Sequence, residues 1–148
     1  MADFKKLPDD VLLGLCIWAE ARGEPVEGQV AVAWVVRRRV ERRRSTYSAQ
    51  ILSPYQFSAF NPTDPNRAKI DDMALMSDVG RDHVAGWRQA FYVARGVIGN
   101  WLVDNVKGAD HYVTLALTRS EQAPAWADPD RQVAVLHNHV FFDLEGKA

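Results

Sequence analysis

The N-terminal part of the chain has apolar residues at helical spacing in two stretches. In the first, they recur every three or four positions, which predicts an amphipathic helix over residues 11–21. An acid just before it, Asp9 or Asp10, is expected to cap its start. A second helix is predicted to begin near Pro25, and its residues 26–36 are apolar almost all round. Such a helix belongs at the centre of a domain.

The two predicted helices meet at a bend that follows Glu20. Gly23 is expected to adopt the left-handed conformation that ends a helix, and Pro25 suits the first turn of the next helix. Glu20 then lies in the last turn of an otherwise apolar helix, on a rigid corner of the backbone. Two interpretations stay open from these residues alone: an acid presented to a cleft, or a solvated charge at a helix end.

Residues 45–82 are rich in Ser, Pro, Asn and Asp and predict a long connection, which in a compact domain is usually functional. Within it, residues 54–58 predict a short extended piece, and residues 61–66 predict consecutive turns. The aromatic residues of this connection are Tyr47, Tyr55, Phe57 and Phe60.

The C-terminal half predicts one more long helix and then strands. The helix covers roughly His83–Trp101, and a strand follows at residues 111–115. Two further strands, residues 132–136 and 139–142, flank His137-Asn138 and predict a hairpin. The predicted fold is α+β and mainly α, with a small antiparallel sheet late in the chain.

Composition restricts the class of protein. With 148 residues, 47% of them apolar, the chain is expected to form one domain over residues 1–148 with a hydrophobic core. The net charge of −1 argues against a globally basic nucleic-acid binder. A single cysteine, Cys16, excludes an internal disulfide. No stretch has the apolar pattern of a signal peptide or a membrane span, so a cytoplasmic protein without membrane insertion is expected.

Residues 37–44 contain six arginines around Val40 and Glu41. Cations at a helix C-terminus are stabilised by the helix dipole, so a solvated helix end is the preferred interpretation. The alternative is a patch that attracts a polyanion, either a cell-envelope polymer or a nucleic acid.

Several generic sites are excluded. The chain has no phosphate-binding glycine motif, no Cys-x-x-Cys pair and no His-Glu-x-x-His. His137 and His139 are two apart on a predicted strand, which permits metal binding, but polar hairpin residues are the preferred interpretation. Cys16 lies on an apolar helix face and is interpreted as a core residue in preference to a nucleophile. No metal or cofactor is predicted.

A solitary acid and a loop that combines aromatic rings with amides and hydroxyls remain. Carbohydrate clefts are built from such parts, because sugar faces stack on aromatic rings while sugar hydroxyls need fixed polar partners.

These parts occur in a recognisable order. The first block is Glu20-Ala21-Arg22-Gly23-Glu24, followed by residues 28–32 and Arg39-Val40. The later blocks are Gln56-Phe57-Ser58, His111-Tyr112, Trp126 and residues 138–141. Over about residues 12–142 the chain resembles the spore cortex-lytic, SleB/CwlJ-type family of cell wall hydrolases. It departs from that pattern at Arg38, where the family usually has Asn.

The resemblance implies a lysozyme-like transglycosylase fold and cleavage of the β-1,4 bond between N-acetylmuramic acid and N-acetylglucosamine, with Glu20 as the catalytic acid. A lytic transglycosylase needs only one acid, which first protonates the glycosidic oxygen and then accepts the proton of the C6 hydroxyl as a 1,6-anhydro ring closes. Glu20 must therefore be protonated near neutral pH. Apolar neighbours such as Trp18 or Phe57, and the charge of Glu24, are expected to raise its pKa.

Seven residues are predicted to bind the substrate: Glu24, Gln56, Phe57, Ser58, His111, Tyr112 and Trp126. Three of them also have structural interpretations. Gln56 and Ser58 are suited to tying down loop backbone, and Tyr112 to filling the core.

Three alternatives to a lytic transglycosylase remain. A true muramidase would need a second carboxylate, for which Asp64, Asp71 and Asp110 are candidates. A non-catalytic module would bind peptidoglycan without cleaving it. A nucleic-acid binder would use Arg37–Arg44. The expected biology is that of a monomeric phage endolysin that acts on glycan strands and reaches the wall from the host cytoplasm through a holin-type route.

Overall fold

A computed structural model describes residues 2–54 and 56–146, and these residues form seven α-helices and a three-stranded antiparallel sheet. The helices are α1 (Asp9–Ala21), α2 (Val26–Arg42), α3 (Tyr47–Ile51), α4 (Arg67–Leu75), α5 (Asp78–Asp82), α6 (Trp87–Ile98) and α7 (Leu115–Thr118). The strands are β1 (His111–Thr114), β2 (Gln132–Leu136) and β3 (His139–Phe142). The predicted fold class, mainly α with a late antiparallel sheet, is confirmed. No helix in the described ranges is both long and apolar enough to cross a bilayer.

Helix α1 lies at the centre of the molecule and packs closely on α6. At the contact between the two helices, α1 has Gly14, and a Cβ added there would lie 2.8 Å from Cη2 of Trp87. The ring of Trp87 in turn stacks on Phe91, with the ring centroids 5.2 Å apart. The buried face of α1 therefore depends on Gly14 to let the helices approach.

Gly14→Ala is expected to destabilise the protein by about 1–2 kcal/mol, because overpacking against Trp87 exceeds the gain in helix propensity. Denaturant unfolding followed by circular dichroism measures this. Gly23→Ala is the matched control, since a Cβ there meets nothing within 4 Å. Equal stability of the two variants would contradict the assignment of Gly14 as a packing position.

Both ends of α1 differ from the prediction. Neither Asp9 nor Asp10 caps the helix: Pro8 precedes it without a side-chain bond, and the Asp10 carboxylate accepts from the backbone N–H of its neighbour Val11. Gly23 does not adopt the left-handed conformation. The helix ends because the chain turns, and the backbone N–H of Glu24 donates to the carbonyl of Ala21 at 2.9 Å.

The connection predicted over residues 45–82 contains α3, α4 and α5. Two of these short helices begin at a capping side chain, since the Thr46 hydroxyl accepts from the N–H of Ala49 and the Ser77 hydroxyl from that of Gly80. Local capping of this kind leaves no long apolar period in the sequence. At the described positions 54 and 56–58 the predicted extended piece is wrong, because turns and a bend lead into a 3₁₀ turn at Ser58–Phe60.

The predicted turns at residues 61–66 are confirmed. Tyr55 lies outside the described residues. Helix α6 begins at Trp87, later than predicted, because Gly86 at φ +83° interrupts the helical backbone.

The arginines at the end of α2 form ion pairs with later parts of the chain. Arg38 meets Asp104 at 2.6 Å, and Arg43 meets Glu145 at 2.6 Å. Arg42 bridges Asp110 at 2.8 Å and Asp143 at 2.6 Å. Arg44 is exposed, but the preferred interpretation as a solvated helix end is therefore wrong for Arg38, Arg42 and Arg43. These side chains fasten α2 to the segments before β1 and after β3, and Arg38 does so away from the cleft described below.

The sheet places β3 between β1 and β2. In the register of the first pair, Tyr112 lies opposite Phe141 and Thr114 opposite His139. The hairpin of β2 and β3 turns at His137, which has φ +54°. This pairing brings polar and aromatic residues that are far apart in sequence onto one side of the helical core.

Candidate active site

A cleft of about 640 Å³ opens between the end of α1, the segment before the 3₁₀ turn, and the sheet. It is lined by Glu20, Arg39, Gln56, Phe57, Ser58, His111, Tyr112, Val113, Thr114, Trp126 and His139. The lining mixes aromatic rings with hydrogen-bonding groups, and one side of the cleft is open. A polymer segment of sugar units fits such a shape better than a small apolar ligand.

Glu20 projects into this cleft from the last turn of α1 and is half-buried. Burial raises the pKa of its carboxyl group, the negative charge of Asp64 raises it further, and the backbone N–H of Ser58 partly offsets both. The carboxyl group also lies near Cys16 and Tyr112: burial raises the pKa of both, and the charge of Glu20 adds to the effect. Glu20 is thus an acid in apolar surroundings that keeps access to a cleft.

Trp18 and Glu24, which were expected to raise the pKa of Glu20, have their side chains in other parts of the structure. The side chain of Trp18 faces another part of the molecule, where its Nε1 donates to the carbonyl of Ala85 at 2.9 Å. The carboxylate of Glu24 lies 3.5 Å from Nδ1 of His139. Trp18 is two positions from Glu20 and therefore lies about 200° away around the helix axis. The helix ends before Glu24, so helical spacing does not bring that side chain to Glu20 either. Phe57 does line the cleft, and it is buried.

Arg39 is a cleft residue that the sequence analysis missed. Its guanidinium group is buried, with Nε donating to the carbonyl of Asp110 at 2.6 Å and Nη1 to Oε1 of Gln56 at 3.0 Å. It therefore fixes the Gln56 side chain at the cleft and places a positive charge there. The available signals were its helical spacing from buried Val32 and Val36 and its place in the Arg39-Val40 block.

His111 is held in the cleft by a buried carboxylate. Asp110 is fully buried, and its Oδ1 lies 2.8 Å from Nδ1 of His111. The backbone N–H groups of Leu144 and Glu145 donate to the same carboxylate at 2.9 and 2.8 Å. The carboxylate accepts from Nδ1–H, an assignment from the hydrogen-bond network that leaves Nε2 of His111 for a ligand.

Among residues 2–54 and 56–146, Asp110, His111 and Glu145 form a group that could hold a metal ion, with one ligand atom from each within 4.8 Å of the others. The same atoms already have protein partners. Asp110 accepts from Arg42 and from His111, and Glu145 pairs with Arg43. This cluster is therefore a structural network that orients His111. His137 and His139 also have separate partners, Glu27 at 4.0 Å and Glu24 at 3.5 Å.

Six of the seven predicted substrate-binding residues line the same cleft as Glu20: Gln56, Phe57, Ser58, His111, Tyr112 and Trp126. Glu24 does not line it but contacts His139, which does. Tyr112 also packs on Phe141, with ring centroids 5.8 Å apart, so it combines a core contact with a place in the lining. The roles of these residues stay predictions.

Besides Arg39, the lining includes Val113, Thr114 and His139, which were not predicted as site residues. Thr114 and His139 are register partners in the sheet, and strand pairing places them together. The signal for His139 was its position in the hairpin block, which was interpreted as polar surface.

The candidates for a second carboxylate are not in the lining. Asp110 lies behind His111, and Asp71 pairs with Arg67 at 3.2 Å. Asp64 acts on Glu20 through its charge. Among residues 2–54 and 56–146, Glu20 is the one carboxylate in the lining of this cleft.

Comparison with known proteins gives two matches. A family model described as Cell Wall Hydrolase matches residues 23–142. The catalytic domain of the germination-specific lytic transglycosylase SleB from Bacillus anthracis superposes with a TM-score of 0.64. That alignment covers 96% of this chain and 100% of that chain at 23% sequence identity. No curated protein sequence matches the chain significantly. The structural match confirms the expected fold.

Proposed function

The chain belongs to the Cell Wall Hydrolase family, and we propose that it is a peptidoglycan lytic transglycosylase in which Glu20 serves as both general acid and general base. Glu20 lies just before the matched residues, so its role is supported by the geometry of the cleft and by the motif around it. The SleB domain, the catalytic domain of a lytic transglycosylase, is a distant relative in sequence and supports the same reaction class.

The observation that carries the proposal is the single carboxylate in the described cleft lining, with its raised pKa. Hydrolysing glycosidases use two carboxyl groups, about 5–5.5 Å apart in retaining enzymes and about 6.5–9.5 Å apart in inverting ones. A transglycosylase needs one group, because the second nucleophile is a hydroxyl of the substrate itself. One half-buried acid that is protonated at higher pH than an ordinary carboxyl group satisfies that requirement.

The reaction proceeds in two proton transfers. Glu20 donates its proton to the glycosidic oxygen, the bond from that oxygen to C1 of N-acetylmuramic acid breaks, and positive charge develops on C1 and the ring oxygen. The resulting carboxylate of Glu20 accepts the proton of the C6 hydroxyl, whose oxygen bonds to C1 and closes the 1,6-anhydro ring. The proton returns to Glu20, and no water is consumed.

The remaining lining residues suit the positioning of sugar rings. Trp126, which is partly exposed, supplies an apolar face for stacking, and its ring lies 4.9 Å from that of His111. Phe57 is buried and forms apolar backing for the lining. Arg39 and Gln56 supply hydrogen-bonding groups that are already fixed to one another. Because these groups are held before substrate binds, little order is lost on binding.

Asp64→Asn tests the electrostatic part of the proposal. Removing this negative charge lowers the pKa of Glu20 in the folded protein, so Glu20 loses its proton at lower pH. The alkaline limb of the pH–rate profile for fragment release is expected to move to lower pH, with the rate on its acid side unchanged. Asp72→Asn, at an exposed acid, is the control and is expected to leave the profile in place.

The Asp64→Asn variant also distinguishes a muramidase from the proposed lytic transglycosylase. If Asp64→Asn abolished release at every pH, Asp64 would be a second catalytic carboxylate, and hydrolysis would replace transglycosylation as the assignment.

Mass spectrometry of the fragments released from purified peptidoglycan tests the reaction class. We expect glycan fragments that end in 1,6-anhydro-N-acetylmuramic acid. Reducing muramic acid ends would indicate a muramidase, and fragments cut only in the peptide would exclude both glycosidic reactions. Binding to the wall without release of fragments would indicate a non-catalytic module. A role in host lysis by a phage, with export through a holin, stays a prediction.

A further inference from the structure

A second group of aromatic residues lies on the exposed face of α6 and just after its end, outside the lining of the cleft. We call it the α6 aromatic patch: a surface depression of about 290 Å³ lined by Asp82, Arg88, Phe91, Tyr92, Arg95 and Trp101. Tyr92 and Trp101 are both 52% exposed, and their ring centroids are 6.5 Å apart. Large aromatic rings exposed side by side are unusual on a protein surface and often mark a binding site.

The ring of Trp101 is held by the end of α6. A Cβ added at Gly99 would lie 2.7 Å from its Cε3, and one added at Gly96 would lie 2.9 Å from its Nε1. The backbone N–H groups of Trp101 and Leu102 both donate to the carbonyl of Gly96 at 3.0 Å, which fixes the turn. One side of the indole therefore rests on glycine backbone while half of its surface stays open to solvent. Such a ring is a preorganised stacking surface.

Arginines border these rings. Arg88, Tyr92 and Arg95 are spaced by four and three residues, so they project from the same face of α6. Neither arginine side chain has a hydrogen-bond or ion-pair partner within the ranges 2–54 and 56–146. The guanidinium carbon of Arg95 lies 5.7 Å from the ring centroid of Phe91. With one acid, Asp82, on the same rim, the patch has a positive balance and unused donors.

The patch and the cleft are on different sides of α1. Gly14 of α1 faces α6, and Glu20 follows it by six residues, which is about 240° around the helix axis. A ligand in the cleft therefore leaves the α6 aromatic patch uncovered. A long polymer, or two neighbouring strands of one, can occupy both sites together.

We propose that the α6 aromatic patch is a second glycan-binding site, which takes N-acetylated amino-sugar strands that bear carboxylates and so holds the enzyme on insoluble peptidoglycan. Pyranose faces stack on Trp101 and Tyr92, and carboxylates of the strand pair with Arg88 and Arg95. The identity of the polymer rests on the proposed function, whereas the aromatic and basic character of the patch does not.

Co-sedimentation with purified sacculi tests the proposal, with full-length protein carrying Glu20→Gln so that the wall is not digested. Trp101→Ala is expected to weaken binding by about tenfold, the loss of one of two stacking rings. Trp101→Phe keeps a ring and is expected to retain most of the binding. Gly99→Ala keeps every proposed ligand-contacting side chain in the sequence but displaces the indole of Trp101, so it is expected to weaken binding as well.

The two arginines of the patch are tested by separate substitutions. Arg88→Gln with Arg95→Gln is expected to weaken binding and to reduce its dependence on salt, whereas Arg119→Gln, at an exposed arginine elsewhere, is expected to do neither. Thermal unfolding shows whether each variant stays folded. With Glu20 intact, Trp101→Ala is expected to cleave short soluble glycan fragments at the wild-type rate and insoluble sacculi more slowly.

Unchanged binding by Trp101→Ala would overturn the proposal while leaving the proposed reaction in place, provided that cleavage persists. Binding that disappears when secondary polymers are stripped from the sacculi would also overturn it, because the ligand would then be a different polymer. Failure of the unsubstituted protein to release any fragment would instead contradict the proposed function.

Discussion

Glu20→Gln is expected to lower the rate of fragment release from purified peptidoglycan by about 10²–10⁴-fold, the usual contribution of a general acid or base. Glutamine has nearly the same shape, so the cleft keeps its form, but the amide cannot donate the proton that the glycosidic oxygen needs. It also cannot accept the proton of the C6 hydroxyl, so both steps of the proposed reaction lose their catalyst.

The fold of this variant is expected to be intact. Because burial raises the pKa of Glu20 in the folded protein, wild-type stability falls as the pH rises above the ordinary carboxyl value and the buried group ionises. Glutamine does not ionise, so the variant is expected to be at least as stable as wild type at neutral pH. Glu121→Gln, at an exposed glutamate, is the matched control and is expected to keep full activity. Near wild-type release by Glu20→Gln would refute the assignment of the acid.

Asp110→Ala is expected to destabilise the protein by about 3 kcal/mol, because a fully buried carboxylate with several donors is lost. The substitution leaves Nδ1 of His111 and the backbone N–H of Leu144 without their acceptor, and Arg42 keeps only its contact with Asp143. Denaturant unfolding measures the loss. Asp130→Ala, at an exposed acid, is expected to change stability by less than about 0.5 kcal/mol.

The effect of Asp110→Ala should also depend on pH. Burial of Asp110 raises its pKa, but the bonds from His111, Leu144, Glu145 and Arg42 outweigh it and hold the pKa well below its ordinary value. Its contribution is therefore complete above the unfolded value of about 3.9 and decreases as the pH falls towards the folded value. The stability difference between wild type and variant is expected to shrink below about pH 4. A difference that is constant with pH would contradict the charged state of Asp110.

The cleft was accessible to sequence reasoning because its parts lie in short blocks of distinctive chemistry. Gln56, Phe57 and Ser58 are adjacent in sequence, as are His111 and Tyr112, and the structure places each block in the lining. The position of Glu20 followed from helical spacing and a bend, both of which are local. Glu24 was misplaced because the same spacing was continued past the point where the helix ends.

The parts that were missed depend on contacts between distant residues. Asp110 was one of three loop acids named as candidates for a second carboxylate, but amide groups of Leu144 and Glu145 enclose it from the other end of the chain. Arg39 stands within a run of arginines, and its charge alone does not separate it from Arg38, which pairs with Asp104 outside the cleft. Tertiary pairing, which the sequence does not express locally, decides which arginine reaches the cleft.

With Glu20 as the one catalytic carboxyl group, cleavage of the glycan uses no water. Digestion of purified peptidoglycan in water enriched in oxygen-18, followed by mass spectrometry of the new muramic acid ends, tests it directly. We expect 1,6-anhydro ends that carry no oxygen-18, formed by wild type and not by Glu20→Gln. Reducing ends that carry one oxygen-18 atom, or unlabelled anhydro ends formed equally well by Glu20→Gln, would contradict it.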